Sequence, residues 1–465
     1  MPQLGTAEHP LRVAVIGSGP AAFYVAEHLL GREHPVAQVD MFERLPAPYG
    51  LVRFGVAPDH AKIKNVTRVY DKIARRPGFR FFGNVDFGTH LTLEDLRQHY
   101  HQICFATGAQ TDRRMNIPGE DLQRSHTATE FVAWYNGHPD YRDREFDLSV
   151  ERVAVVGIGN IAVDVARILC RTPDELQRTD IADYALEALA RSRVKEVYVL
   201  GRRGPAQAAF TNAEVKELGE LDGADFVVLP EETALDPLSR EAVAQSGEAS
   251  LERKVELLQG FAAAQRAGKP KTLTLRFLVS PVELTGDDAG RVVGMKLVRN
   301  ELYLGDGGSL RPRATEHTEE LPVEMVFRSV GYRGVPLPGV PFDDRWGVVP
   351  NERGRVAAPD GEPLVGVYVS GWIKRGPSGV IGTNKPCAAE TVETMVADVA
   401  KAAVLSPGQP DPAAAEALVR DRQPRPVTFV DWCRIDALEL ERGKAAGRPR
   451  VKLTSVDEML AAVGQ

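Results

Sequence analysis

The sequence predicts an α/β fold built from two Rossmann-like, three-layer βα domains, the second inserted into the first. Three observations carry this. A strand, a Gly-rich turn and a helix occur in succession twice, as LRVAVIGSGPAAFYVAEHLL and as RVAVVGIGNIAVDVARIL. A second apolar strand follows each, VAQVDMFE and VKEVYVL, as a βαβ unit requires. The last third then supplies further strands, VFRSVGY and GVYVS, that return to the first domain. The expected division is 1–108 with 331–465 for the outer domain and 109–330 for the insert.

Taken in order, Val13–Ile16 is a short apolar strand, Gly17-Ser18-Gly19 the turn, and Pro20 opens a helix. Val36–Glu43 is the next strand, with Met41 and Phe42 in the core. The stretch PAPYGLVRFGVAPDHAKIKNV has the Pro and Gly content of irregular structure over a site. A helix over Ile63–Ala74 and a strand at Phe79–Gly83 follow. HQICFATG closes the outer domain's first part on Ala106-Thr107-Gly108. The insert holds the second Gly-rich turn, a helix over Leu251–Ala267, and strands at Leu273–Val279 and Arg291–Leu302, with an exposed hairpin region at 281–320. In the last third GVYVS runs into GWIKRGPSGVIGTN, a turn able to aim N–H groups at a ligand, and a helix begins near Cys387. Beyond Pro407 short helices form a cover.

A chain of 465 residues exceeds one core. Apolar content of 43% and charged content of 26% are ordinary for a globular protein, and a net charge of −7 argues against a nucleic-acid binder. No apolar run reaches membrane-spanning length, and the first residues lack a secretory or transit pattern, so a cytosolic, bacterial protein is expected. Cys104, Cys170, Cys387 and Cys433 are scattered, which speaks against disulfides, zinc or iron–sulfur ligation and for small buried hydrophobes.

The two units differ where such folds read the adenosine ribose. The first strand pair ends in Glu43, an acid that hydrogen-bonds a free 2′-OH, which suits FAD. The second ends in Gly201-Arg202-Arg203-Gly204, and guanidinium groups pair bidentately with a 2′-phosphate, which suits NADP(H). Gly17 and Gly19, and then Gly157, Gly159 and Ala162, bring backbone N–H groups and a helix N-terminus to a pyrophosphate. Two nucleotides on one chain describe a pyridine-nucleotide flavoprotein.

On the motifs GSGPAAFYVAEHLL, ERLPAPYGLVRFGVAPDHAKIKNV, FATGA, VVGIGNIAVDVARIL, GRRGPAQAAFTNAEVKEL and SGWIKRGPSGVIGTNKPCAAETV, the chain resembles the adrenodoxin reductase-like ferredoxin–NADP reductases, nearly end to end. The resemblance implies FAD contacts at Gly17, Gly19, Pro20, Ala21, Ala22, Glu43, Leu51, Val85, Trp372 and Gly379, Val380 and Ile381. It implies NADP contacts at Asn160, Ile161, Ala162, Val163, Arg202, Arg203 and Glu214. It also places a histidine of the GVAPDH loop and a glutamate of the F-T-x-x-E stretch, His60 and Glu214, near the nicotinamide as catalytic groups. Phe54 stands where relatives often carry a small polar residue and is expected to tune access to the flavin.

The activity implied is electron transfer from NADPH through FAD to a ferredoxin. An acidic ferredoxin would dock on local basic groups, with Arg12, Lys62, Lys64, Arg68, Lys216, Lys374 and Arg375 as candidates. A glutamate-synthase-type or disulfide reductase needs cysteine clusters that this chain lacks. A non-catalytic NADPH-sensing flavoprotein is the reading of a different class.

Overall fold

The computed structural model describes residues 3–465. Two twisted sheets organise it. The first runs, edge to edge, through Asn351–Glu352, Arg355–Ala357, Pro363–Val369, Gln102–Phe105, Leu11–Ile16, Ala37–Phe42 and Phe79–Phe82. Its last five strands are parallel, and the two short ones form an antiparallel edge. The second sheet orders Ser125–Thr127, Met325–Arg328, Arg152–Val156, Glu196–Leu200, Lys271–Arg276 and Ala224–Val228, all parallel. Every strand of the second sheet lies in sequence between strands of the first, so it is an insertion; Met325–Arg328, expected to return to the outer domain, is a strand of the insert because it pairs with Arg152–Val156.

Parallel strands buried on both faces read as continuous apolar runs, and Leu11–Ile16 is buried throughout. Leu11, Val13 and Val15 pack with Phe23, Tyr70 and Trp432 on one face. Ala14 and Ile16 pack with Phe42, Phe82 and Phe105 on the other. In each sheet the strand before the Gly-rich turn lies between two strands that both follow it in sequence, so the chain runs out to one side and later returns to the other. That reversal opens a crevice at the carboxyl ends of the strands, where doubly wound sheets bind ligands.

Two thin strands, Thr111–Asp112 and Tyr332–Arg333, pair antiparallel where the chain passes between the sheets. The region expected as a hairpin is a three-stranded antiparallel sheet, Val279–Gly286, Val292–Leu304 and Leu310–Leu321. The helix expected over Ile63–Ala74 is interrupted, as Ala61–Lys64 and Thr67–Ala74. The Thr67 hydroxyl donates to the Lys64 carbonyl at 2.9 Å and takes the place of a helical partner there. The cover beyond Pro407 includes a helix of 17 residues, Phe429–Ala445, longer than the short pieces expected. Its Trp432 donates to the Tyr49 hydroxyl, and its Glu439 is buried against Arg53.

Cys104 and Cys170 are buried, and burial pushes both thiols up to about 12. Cys387 and Cys433 are only partly covered, which corrects the expectation that all four are core residues. Cys387 sits on the surface turn of the helix Asn384–Ala400 and accepts from the Gly371 N–H. Arg75 reaches Cys433 at 3.4 Å.

His101, just before a central strand, accepts the Arg12 N–H at Nδ1, a bond only an unprotonated nitrogen can make. Burial, with His9 and Arg12 nearby, lowers its pKa to about 4. The folded pKa lies below the unfolded value, so the stability it contributes is complete above about pH 6.5 and is lost as the pH falls toward 4. Thermal unfolding followed from pH 7 to pH 4.5 should therefore show a smaller drop in Tm for His101→Gln than for the parent, and equal drops would remove His101 as the cause.

Candidate functional site

Each Gly-rich turn is shaped by contacts that only glycine permits. Gly17 has φ +101°, and a Cβ there would lie 2.6 Å from the Ala106 carbonyl oxygen. Gly157 has φ +134°, and a Cβ would lie 2.2 Å from the Ser329 oxygen. The second glycine of each turn, Gly19 and Gly159, is the N-cap of an 11-residue helix, Pro20–Leu30 or Asn160–Cys170. A Cβ at either would meet nothing within 4 Å. This is the open cradle a pyrophosphate needs at a helix N-terminus.

Three buried polar atoms near these turns have no hydrogen-bond partner: Asn160 Oδ1 at the second helix, and Thr107 Oγ1 and Ser370 Oγ just past the ends of first-sheet strands. Glu43 lies at the end of its strand, accepting from the Ser18 hydroxyl at 2.6 Å and from the Leu45 N–H at 3.1 Å. Burial raises its pKa, and the Ser18 bond partly offsets that. Ala21, Ala22, Ala162 and Val163 are core residues at the starts of the helices, with Pro20 and Ile161 partly covered beside them. Leu51 opens the four-residue helix Leu51–Phe54, and Val85 is buried with its N–H bonded to the Glu43 carbonyl.

Arg202 is exposed and Arg203 half-buried. Neither makes an ion pair among the described residues. Burial and the Arg202 charge lower the Arg203 pKa, so two like charges are held together with no counter-ion. Their backbone is fixed: Leu278 N–H donates to the Arg203 carbonyl, and Asn300 Nδ2 donates to that of Arg202. An arriving phosphate dianion would find both guanidinium groups free.

Around Trp372 the chain turns sharply. Gly371 has φ +79°, and a Cβ there would lie 2.5 Å from that of Ala21, so this turn touches the first Gly-rich turn. Trp372 stands against Tyr332 with ring centroids 5.5 Å apart, and its indole donates to the Ser378 carbonyl. Arg375 braces the loop through Ser378, Thr383 and Asn384. Gly379 has φ +77° and is exposed, Ile381 is partly covered, and Val380 is 54% exposed, an apolar side chain with nothing on it. Cavities of about 430 and 440 Å³ flank this loop, with Lys374, Arg375 and Ser378 lining both. The open cradles, the orphaned polar atoms, bare Val380 and the unpaired arginines all fit two dinucleotides.

His60 meets the second domain through an acid that the sequence reading did not single out, Glu217. His60 Nε2 lies 2.9 Å from Glu217 Oε2, and Nδ1 lies 3.8 Å from Asp164 Oδ1. Glu214 instead closes a capping box: its carboxylate accepts the Thr211 N–H and hydroxyl, and the Thr211 hydroxyl accepts the Glu214 N–H. It is buried, and burial raises its pKa. The T-x-x-E spacing is that of a capping box, so this role was readable; Glu217, one turn on, shares its helical face. Behind His60, Asp59 accepts from Arg167 at 2.7 Å and from Arg171 at 2.6 Å, and Arg167 also holds Asp164 at 2.6 Å. Burial raises the Asp164 pKa against the pull of Arg167 and His60.

Three of the basic residues expected at a docking surface are spent elsewhere. Arg12 is buried on Asp40, Lys64 is paired with Asp180, and Lys374 is buried on Glu390. Lys62, Arg68 and Lys216 are exposed. Phe54 is buried with its ring 4.9 Å from that of His138, so it packs between the two domains.

Residues 11–213 match the pyridine nucleotide-disulphide oxidoreductase family. The chain is 46% identical to the NADPH-ferredoxin reductase FprA of Mycobacterium tuberculosis, over 97% of this chain and 98% of that one. It is 42% identical to human mitochondrial NADPH:adrenodoxin oxidoreductase, over 99% of this chain and 93% of the relative. The solved structure of M. tuberculosis FprA in complex with NADPH superposes with a TM-score of 0.92 at 45% identity, covering 98% of this chain and all of that one. Turn for turn and nearly from end to end, the chain belongs to the adrenodoxin reductase-like family of ferredoxin–NADP reductases.

Proposed function

We propose that this protein is a ferredoxin–NADP(+) reductase that holds FAD at the Gly17–Gly19 turn and NADPH at the Gly157–Gly159 turn and passes electrons to a ferredoxin. The unpaired Arg202–Arg203 couple carries the coenzyme choice, and the end-to-end likeness to enzymes named for this activity supports the rest. FAD supplies, when bound, the conversion between two-electron hydride chemistry and the one-electron steps of an iron–sulfur partner.

The chain's own groups bind, orient and handle the proton. Gly17, Gly19, Pro20, Ala21, Ala22, Glu43, Leu51, Val85, Trp372, Gly379, Val380 and Ile381 form the FAD seat. Asn160 to Val163, the arginine pair and Glu214 form that of NADPH. His60, held through Nε2 by Glu217, exchanges a proton at the mouth of the cleft, and Asp164 fixes the ring from its other side. The division of the chain at 108/109 and 330/331 belongs to the same proposal; the paired strands Thr111–Asp112 and Tyr332–Arg333 support it.

Among the described residues no helix is long and apolar enough to cross a membrane. With the mycobacterial relatives, that supports the bacterial cytoplasm as the site of action. The ferredoxin docks beside His60, where Lys62 and Arg68 are exposed and make no ion pair among the described residues and Ile63 and Val69 offer apolar contact. Such a contact weakens with salt.

The purified yellow protein should reduce cytochrome c with NADPH at a rate that rises on adding ferredoxin. Flavin bleaching by NADPH with no transfer to any acceptor would favour the sensing flavoprotein instead. Arg203→Ala should raise KM for NADPH by about 10- to 100-fold, the worth of a charge-assisted phosphate contact, and leave KM for NADH nearly unchanged; steady-state kinetics with both coenzymes decide it. Glu217→Gln should slow stopped-flow flavin reduction at saturating NADPH by about tenfold or more. Glu214→Ala should cost about 1 kcal/mol of stability as a lost cap. A Glu217→Gln rate equal to the parent's would remove that residue from proton handling.

A further inference from the structure

The chain crosses between the two sheets only through the short strand pair Thr111–Asp112 and Tyr332–Arg333. Its backbone bonds, Gln110 N–H to the Arg333 carbonyl and Arg113 N–H to that of Gly331, are too few to set an angle between two large bodies. Besides Asp59, His60 and Lys64, the far end of the sequence braces the two bodies. After the helix Phe429–Ala445, residues 448–454 run along the inserted domain in irregular structure. Arg448 donates to the Thr179 and Ile181 carbonyls and pairs with Asp183.

Lys452 lies deepest. Its side chain is 1% exposed. Its Nζ reaches the Asn136 carbonyl at 3.1 Å, Asn136 Oδ1 at 3.3 Å, Asp180 Oδ2 at 3.3 Å and the Arg53 carbonyl at 3.3 Å. Arg53 belongs to the outer domain; Asn136 and Asp180 belong to the insert. Asp180 already has a cation, because Lys64 binds both its oxygens at 2.6 and 2.8 Å. Charge neutrality therefore does not require Lys452, and its hydrogen-bond acceptors on the two domains are what its ammonium serves. Burial drives Lys452 well below its usual pKa, and Lys64, Arg53 and Arg450 add to that against Asp180. Burial raises the Asp180 carboxyl, yet the two ammonium groups outweigh it and bring it down to about 2.

We infer that Lys452 is a positioning residue for hydride transfer: by tying the Arg53 and Asn136 carbonyls together it fixes the angle between the two nucleotide-binding domains. The inference rests on the proposed function for what the angle serves. Hydride transfer is steep in geometry, so a small rotation matters more to the rate than to nucleotide affinity, whose contacts lie within each domain. The seam is also close to the chemistry in sequence, because Asp59, His60 and Lys64 on one short segment all bind the insert.

Lys452→Met keeps the volume and leaves the Lys64–Asp180 pair intact, so no buried carboxylate is stranded. In the ligand-free chain, hydrogen exchange at the Gln110 and Arg113 amides should quicken by about tenfold. With FAD content and the Kd for NADP+ unchanged, flavin reduction at saturating NADPH should slow by about fivefold or more. Exchange equal to the parent's, or faster exchange with an unchanged reduction rate, overturns the inference. Lys452→Gln, which keeps an N–H donor, should give a smaller change in both readouts, and it supplies the test should the methionine variant fail to fold. Neither readout uses ferredoxin, so a protein that reduces no ferredoxin would defeat the proposed function and leave this test standing.

Discussion

Two domains that each hold one nucleotide can act together only if they are locked, and in this molecule buried charge forms the lock. Asp59 lies between Arg167 and Arg171, Asp180 between Lys64 and Lys452, and Glu439 between Arg53 and Arg450. In each group one carboxylate meets two cations, and two of the three groups join the outer domain to the insert. Removing the carboxylate from such a group strands buried cations at a cost of about 3–5 kcal/mol, whereas an apolar seam of the same area could slide. The lock specifies geometry more than it adds stability. It also brings His60 to the insert, since Asp59 and His60 are consecutive.

The Gly-rich turns and apolar strands were legible because they depend on local rules: period, glycine and chain order. Gly17 and Gly157 are unavoidable once a carbonyl passes within 3 Å of their missing Cβ. The arginine pair drew notice as two adjacent guanidinium groups at a strand end, set in the same unit as a Gly-rich turn, and neither makes an ion pair among the described residues. What failed depended on distance in the fold. Glu217, one turn beyond Glu214, was not singled out, because only the packing of the helix Asn212–Gly219 brings it to His60. Arg12, Lys64 and Lys374 look like surface charges in sequence, and their partners are 28, 116 and 16 residues away. The contact of Phe54 with His138 in the other domain had no signal in the sequence. The role of the last segment had no signature at all, since Lys452 is one lysine among many until Asn136 and Arg53 are brought to it.

The pair at Arg202 and Arg203 has a consequence for the ligand-free state. Two guanidinium groups on adjacent residues, one half-buried, repel each other with no ion-pair partner among the described residues, while the Leu278 N–H and the Asn300 side-chain amide hold their carbonyls in place. A doubly charged oxyanion would relieve that repulsion, so sulfate or inorganic phosphate in the surroundings would compete with the coenzyme for this corner.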